Sequence, residues 1–515
     1  MKVPLTIGDF LERAETVYPD GLAVVDEPGT PGSLGRITYR EMAARARGMA
    51  LALDRISVPA GARVALVSPN CSRFMISYFG VSGYGRVLVP VNYRLSADEV
   101  SYIVEHSGST VLLVDPEIDE ALSGVTAKER IVLDGADDAE LFASAPDGAL
   151  PAPWEPDEDA TCTINYTSGT TARPKGVQLT HRSCWLNATS FGWHTTVTDR
   201  DVLLHTLPMF HANGWGMPYA VTAMGGKHVV IRKIDGEDIL RRVESEGVTL
   251  MCGAPAVIAS ILGAAAVRAE EGRPIPGRDR VRIVVAGAPP PSAIIARVEE
   301  LLGWEFIQIY GLTETSPLLT VNRARSDWDD QPAGERARLL SHAGVPAVGV
   351  RVRIDDEGEV LARSNHVFAS YWRQPEESAA ALVDGWFHTG DGGYLDGATL
   401  SITDRKKDVI ITGGENVSSI EVEECLYQHP AVAEAAVIGV PDDKWGETVK
   451  ALVVLRPDMT AEPAELIEFC RTRMTHYKCP TTIELRPSLE RTATGKLQKF
   501  KLRAPYWQDR ERKVN

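Results

Sequence analysis

TCTINYTSGTTARPKGVQLTHRS, residues 161–183, is the stretch that decides how the rest of the chain is read. An apolar, β-branched run ends at Tyr166 and passes into a loop of Thr, Ser and Gly. Such a loop can wrap phosphate oxygens with backbone N–H groups and hydroxyls, because Gly169 permits close backbone approach. Lys175 adds a cation. This is not a Walker A loop, since no G-K-[ST] follows Gly169 at the required offset. A ligand-free turn is the alternative, but hydroxyls at Thr167, Ser168, Thr170 and Thr171 followed by Pro174-Lys175-Gly176 favour an anion.

Outward from this loop, helix-like and strand-like stretches alternate. TYREMAARARGMALAL (38–53) precedes the apolar run RVALVSP (63–69), and VTLMCGAP (248–255) is followed by AVIASILGAAAVRAEE (256–271) and VRIVVAGAP (281–289). Strands alternating with helices of this length predict βαβ units and parallel sheets. From about residue 345, short β-like runs separated by Gly and Asp predict a β-rich subdomain. After Arg405-Lys-Lys-Asp408 the pattern becomes α+β on a smaller scale, with a helix over SSIEVEECLYQHP and Ser418 and Glu421 spaced as a capping box. The expected fold is therefore α/β: a large N-terminal unit of two packed βαβ-type sheets plus a β-rich subdomain (1–403), and a small, mobile α+β C-terminal domain (404–515). Pro/Asp-rich PAPWEPDEDA (151–160) reads as a loop inside the large unit.

Composition narrows the function classes. Of 515 residues, 44% are hydrophobic and 24% charged, the profile of a globular protein. Lys+Arg number 54 against 70 Asp+Glu, a formal net charge of −16, which argues against sequence-independent nucleic-acid binding. A local basic pocket for one anionic ligand is still allowed. Seven cysteines without a C-x-x-C pair predict core thiols in a reducing compartment. Asp9, Glu12 and Glu15 interrupt any signal-peptide core, and no run reaches the roughly 18 apolar residues of a membrane span. The expectation is a cytoplasmic protein, monomer or homodimer, with small-molecule substrates and no integral membrane contact.

YTSGTTARPKG also resembles the phosphate loop of the adenylate-forming superfamily, which includes acyl-CoA synthetases, luciferases and peptide-synthetase adenylation domains. Tyr310-Gly-Leu-Thr-Glu-Thr315 is similar to its second nucleotide motif, Trp386-Phe-His-Thr-Gly-Asp391 to its ribose motif, Asp404-Arg-Lys-Lys-Asp408 with Gly413-Gly-Glu-Asn416 to its hinge region, and Arg491-Thr-Ala-Thr-Gly-Lys496 to its catalytic-lysine motif. The order of the motifs is also the family's.

The resemblance implies a reaction in which a carboxylate attacks the α-phosphate of ATP, so that two anions must approach one another. Positioning and charge neutralisation are what such chemistry needs. It implies that Thr170 and Glu314 hold Mg²⁺, that Thr167, Ser168, Gly169, Thr171 and Lys175 receive the phosphates, and that Thr313 lies by the α-phosphate. Tyr310 and Gly311, with Gly287-Ala288-Pro289 and the main chain near Gln308, would line the adenine. Asp391, a two-oxygen acceptor, would take both ribose hydroxyls, with Arg405 reaching the ribose too. Lys496 would bridge the carboxylate and the α-phosphate. Catalysis is thus expected of Lys496, Glu314 and Thr170. His181, His205 and His388 read as structural or unassigned. Ala172, Ala286 and Glu490 depart from the usual residues without removing a catalytic group.

LPMFHANGWGMPYA (207–220) resembles the acyl-binding segment of medium- and long-chain fatty-acid ligases. Phe210 and His211 would lie between acyl pocket and adenylate, and Trp215 is either a gate to an acyl tunnel or a packed core indole. A CoA ligase would rotate its C-terminal domain about Lys407, bringing Gly413, Gly414 and Glu415 to the pantetheine channel, with Trp445 in a further CoA-contacting stretch. The resulting expectation is an AMP-forming fatty-acid–CoA ligase with Mg²⁺ as cofactor and ATP and CoA as cosubstrates. Ligases of aryl or other acids, enzymes loading a carrier protein, and a non-catalytic sensor are the rivals.

Overall fold

The computed structural model describes residues 1–508 apart from 31–32, 168–172, 288–289, 406–407, 413–414, 443, 458 and 492–496, and the backbone only of Arg405. Ser168, Gly169, Thr170, Thr171, Ala172, Ala288, Pro289, Lys407, Gly413, Gly414 and Lys496 therefore lie outside the described residues.

Two large sheets form the N-terminal unit. One has seven strands, with Val87–Val91, Arg63–Val67, Ser109–Val114 and Glu129–Val132 in parallel pairing and an antiparallel edge made by Thr161–Thr167, Lys175–Thr180 and Ser370–Tyr371. The other has nine, with a parallel centre running through Glu305–Gly311, Arg282–Val285, Leu250–Gly253, Val202–His205, Lys227–Val230 and Leu22–Val25. The central strands read as continuous Val/Ile/Leu runs because both faces are covered.

Each predicted element follows from its residues. Helix Tyr39–Arg55 buries Tyr39, Met42, Ala46, Met49 and Leu53 along one stripe. It begins at Thr38, whose hydroxyl accepts from the Glu41 N–H while the Glu41 carboxylate accepts from the Thr38 N–H at 2.7 Å. Helix Ser72–Ser82 is buried at every position and packs in a core shared by residues of both sheets. Its Arg73 is tolerated there because Asp138, itself buried, pairs with it. All seven cysteines are buried free thiols. His181 accepts from the Ile7 N–H and His205 bonds to His228 at 3.0 Å inside the core, both structural arrangements. Among the described residues, no helix is long and apolar enough to cross a membrane.

A five-stranded sheet of Arg351–Ile354, Glu359–Arg363, Trp386–Asp396, Leu382–Val383 and Thr399–Arg405 forms the β-rich region. Beyond it, Ile410–Thr412, Glu415–Val417, Val432–Asp442, Gly446–Leu455 and Thr482–Leu485 build a separate sheet with its own apolar core. Helix Ser419–Tyr427 does start after Ser418, whose hydroxyl accepts from the Glu421 N–H at 3.4 Å. The expected capping box is only half made: the Glu421 carboxylate turns instead to Lys478 at 2.8 Å, an ion pair that outcompetes a bond to one N–H.

The two parts are tied across residue 404. The Asp404 carboxylate accepts from the Ser419 N–H at 2.8 Å and the Ser419 hydroxyl at 2.6 Å. Ser419 in turn accepts from Lys499, whose ammonium pairs with Glu423 at 2.8 Å. Lys499, a surface lysine by composition, is nearly buried with its partner. Removing one member of a buried pair strands the other, at a cost of about 3–5 kcal/mol. Lys499→Ala is thus expected to lower the urea midpoint of the C-terminal domain markedly, and Lys499→Met with Glu423→Leu to recover most of it. A wild-type midpoint for Lys499→Ala would show the pair to be without structural weight.

Candidate active site

The C-terminal ends of strands in open α/β sheets leave a crevice where ligands bind. Here strand Glu305–Gly311 ends in Tyr310-Gly311, and the chain turns tightly through Thr313–Thr315 before Leu318–Arg323 returns antiparallel. Only glycine fits at 311, since an added Cβ would lie 1.6 Å from the Pro317 carbonyl oxygen. The Thr315 hydroxyl pins the turn by accepting from the Leu312 N–H at 3.0 Å.

Three motifs far apart in sequence meet at this turn. The Tyr310 hydroxyl donates to the Asp391 carboxylate at 2.9 Å. Asp391 is buried to 5% exposure in strand Trp386–Asp396, where the pairing with Glu359–Arg363 shifts register and Glu359 and Val360 hold the irregular stretch: the Gly390 N–H donates to Glu359 at 2.8 Å and the Thr389 hydroxyl to the Val360 carbonyl at 2.7 Å. His388 also faces Glu359, at 3.3 Å. With Asp355 these form a group of close ligand atoms, but the Asp355 carboxylate accepts from the Glu357 and Glu359 N–H groups and closes a turn.

Glu314 stands in the turn Thr313–Thr315 that follows Tyr310. Its carboxylate accepts from the Tyr371 hydroxyl at 2.9 Å and its carbonyl from the Phe368 N–H at 2.7 Å. Burial, and secondly the neighbouring Glu314 charge, push the Tyr371 phenol well above its usual range, so it remains a donor at neutral pH. The Lys175 ammonium stands 4.8 Å from the centre of the Tyr371 ring. Lys175 pairs with Thr167 across the antiparallel ribbon, the two residues standing on either side of 168–172 in the sequence. Oxygen donors such as the Glu314 carboxylate and a Thr hydroxyl suit a hard divalent cation.

The expected adenine side is made by Gly287, in the left-handed region at φ 94°, and by Gln308, buried at 4% exposure with an Oε1 that has no partner among the described residues. Ala286 is buried beside them. Helix Ser292–Arg297 starts directly after this segment, and its Ser292 N–H donates to Glu424 of helix Ser419–Tyr427 at 3.3 Å. The C-terminal domain thus touches the same wall.

Phe210, at 7% exposure, packs edge-on against Tyr93 with ring centres 6.0 Å apart. After His211 the backbone turns left-handed for five residues, Ala212 to Gly216, with φ from 36° to 77°. Trp215 stands on this run at 4% exposure. Left-handed L-residues cost roughly 1–2 kcal/mol each, and the Asn213 amide donating to the Tyr219 hydroxyl at 3.0 Å helps to hold the run. Glu415 and Trp445 are exposed, and strand Ile410–Thr412 brings them to one end of the C-terminal sheet by pairing Thr412 with both Glu415 and Gly446. Sequence reading missed Tyr371 and Glu359, which carry no motif of their own.

The AMP-binding enzyme family matches residues 11–372, and the AMP-binding enzyme C-terminal domain matches residues 421–496. The chain belongs to the AMP-binding enzyme family. It is 37% identical to a 2-methylpropanoate–CoA ligase of Humulus lupulus, over 97% of this chain and 95% of that one. Its fold is similar to that of the anthranilate–CoA ligase AuaEII in complex with anthranoyl-AMP, with a TM-score of 0.87 and 26% identity over 98% of this chain and 99% of that one. It is also similar to the o-succinylbenzoate–CoA synthetase of Bacillus subtilis in complex with ATP and magnesium ion, with a TM-score of 0.81 and 28% identity over 96% and 99%.

If Asp391 accepts ribose hydroxyls, Asp391→Ala removes charged hydrogen bonds worth about 1.5–3 kcal/mol. The KM for ATP should rise roughly 10- to 150-fold, with the KM for the acid changed far less. Initial-rate kinetics in both substrates check this, and an unchanged ATP KM refutes the assignment.

Proposed function

We infer that this chain is an AMP-forming acid–CoA ligase. A carboxylic acid and ATP give an acyl-adenylate and pyrophosphate, and the CoA thiol then displaces AMP to give the thioester. Dividing one difficult acyl transfer into activation and displacement lowers the barrier to each. The observation that carries the reading is the convergence of Asp391, Tyr310, Glu314 and Lys175 on one turn, where a nucleotide's ribose, base and phosphates would each meet a matching group.

In this reading Asp391 accepts the ribose hydroxyls, Gly287 and Gln308 border the base, and Lys175 with Thr167–Thr171 receives the phosphates. Thr170 and Glu314 would hold Mg²⁺, which when bound neutralises phosphate charge. Lys496 supplies a cation between carboxylate and α-phosphate, and Lys407 is the hinge about which the C-terminal domain would carry Lys496 away and bring Gly413, Gly414, Glu415 and Trp445 to CoA. Lys496→Ala should then slow acyl-AMP formation by ~10²–10³ and spare thioester formation from synthetic acyl-AMP, a contrast read by pyrophosphate and thioester assays. Equal losses in both half-reactions would sink the role.

The acid in this proposal is aliphatic, and Trp215 caps its pocket. The gap bordered by Leu179, Asn187, Asn213, Gly216, Tyr219 and Ser316 has no room for a water molecule, so an acid placed there requires its lining to move. In this reading the Trp215 indole moves off its left-handed run to admit the acyl chain, and a longer chain demands the larger movement. The similarity to a ligase named for 2-methylpropanoate supports an aliphatic substrate. Each buried CH₂ adds ~0.8 kcal/mol, about fourfold in kcat/KM, until the pocket ends. Trp215→Ala should move the chain-length optimum upward and leave the KM for ATP nearly unchanged. A panel of straight-chain, branched and aryl acids measures this; aryl acids outrunning every aliphatic one would overturn the aliphatic assignment.

A further inference from the structure

Segment 368–371 holds Glu314 at two points. The Phe368 N–H donates to the Glu314 carbonyl at 2.7 Å and the Tyr371 hydroxyl to the Glu314 carboxylate at 2.9 Å. The first bond fixes the main chain and the second fixes the side chain, so both the place and the direction of the carboxylate depend on this segment. The segment is itself anchored. Ser370 and Tyr371 pair with Gln178 and Val177, the Trp372 N–H donates to the Gly176 carbonyl at 2.7 Å, and the Tyr371 N–H donates to the Ser378 hydroxyl at 2.9 Å. Phe368 packs against the Tyr371 ring at a tilt of 56°, with centres 4.7 Å apart.

The face of the same ring carries Lys175 at 4.8 Å. A cation over an aromatic face gains ~0.5–2 kcal/mol without a carboxylate partner that would cancel its charge toward a phosphate. One side chain, 9% exposed, therefore touches both a group expected to bind the phosphates and a group expected to bind their metal. Its hydroxyl serves the anion and its ring serves the cation.

We propose that Tyr371 is the positioning residue of this site: its O–H sets the Glu314 carboxylate for the divalent cation, and its ring sets Lys175 for the triphosphate. The proposal rests on the ATP-dependent reading above, in which Glu314 is a metal ligand. Partners that orient a ligating carboxylate commonly matter 10- to 100-fold for metal affinity.

Two substitutions separate the two contacts. Tyr371→Phe keeps the ring and removes the O–H, while Tyr371→Leu removes both. Binding of Mn²⁺ is measured by electron paramagnetic resonance on full-length protein with ATP and no acid, so no turnover is needed. Binding of ATP in EDTA is measured by calorimetry, and folding by thermal melting. Tyr371→Phe is expected to weaken Mn²⁺ by roughly 10- to 100-fold while metal-free ATP binding and the melting temperature stay near wild type. Adenylation by Tyr371→Phe should recover toward the wild-type kcat as Mg²⁺ is raised. Tyr371→Leu should in addition weaken metal-free ATP binding, through Lys175. Wild-type Mn²⁺ affinity in Tyr371→Phe overturns the proposal and leaves the ligase reading standing. So does a loss of Mn²⁺ affinity matched by equal loss of metal-free ATP binding, which would make Tyr371 a packing residue. Absence of ATP-dependent Mn²⁺ binding in the wild type overturns the proposal and the ATP-dependent reading together.

Discussion

The antiparallel ribbon at the edge of the seven-stranded sheet is the constraint on which the site depends. Parallel strands need long crossovers, but an antiparallel pair can be joined by a short loop and can expose that loop at its end. Thr161–Thr167 and Lys175–Thr180 pair in this way, with Thr167 facing Lys175 at the end of the ribbon. Ser370–Tyr371 adds only two residues to the ribbon, yet that is enough to bring a segment two hundred residues later alongside Lys175. From there Phe368 and Tyr371 reach Glu314, and the turn that carries Glu314 also carries Tyr310, bonded to Asp391. Displacing the ribbon would shift every one of these contacts.

Charge explains why the contacts take the form they do. A chain with a formal net charge of −16 must make a locally favourable place for a second and third anion. Pairing Lys175 tightly with a carboxylate would spend its charge inside the protein, whereas an aromatic face supports a cation and leaves its field directed outward. Glu314 shows the complementary solution. The Tyr371 phenol orients the carboxylate with a neutral donor, which itself adds no positive charge.

Legibility followed the range of the interaction. Helix Tyr39–Arg55 and strand Arg63–Val67 are written in local periodicity and a local cap, and both are where the pattern puts them. The nucleotide motifs were legible as motifs, and Tyr310 and Asp391 do meet although 81 residues separate them. Tyr371 was not legible, because FASYW reads as one more short β-like run, and its meaning lies in two partners from other strands. Glu359 is similar: a Gly-Glu-Val at the start of a strand gives no sign that its carboxylate will receive the Gly390 N–H beside Asp391. Lys499 was the least visible, since a lysine among Lys496, Lys499 and Lys501 looks solvated until Glu423 and Ser419 are folded around it.

That last cluster also bears on how one site could serve two half-reactions. Asp404 is the next-to-last residue of strand Thr399–Arg405, and its carboxylate reaches across to Ser419 at the start of the next helix. Glu424, farther along the same helix, accepts from the Ser292 N–H and is a second polar tie to the N-terminal unit. The buried Lys499–Glu423 pair belongs wholly to the C-terminal side, so it can keep that domain rigid whichever way it faces. Rigidity within each body is a property that hinge motion requires, because a hinge works only when the strain of turning falls on a few backbone dihedrals and not on the bodies they join.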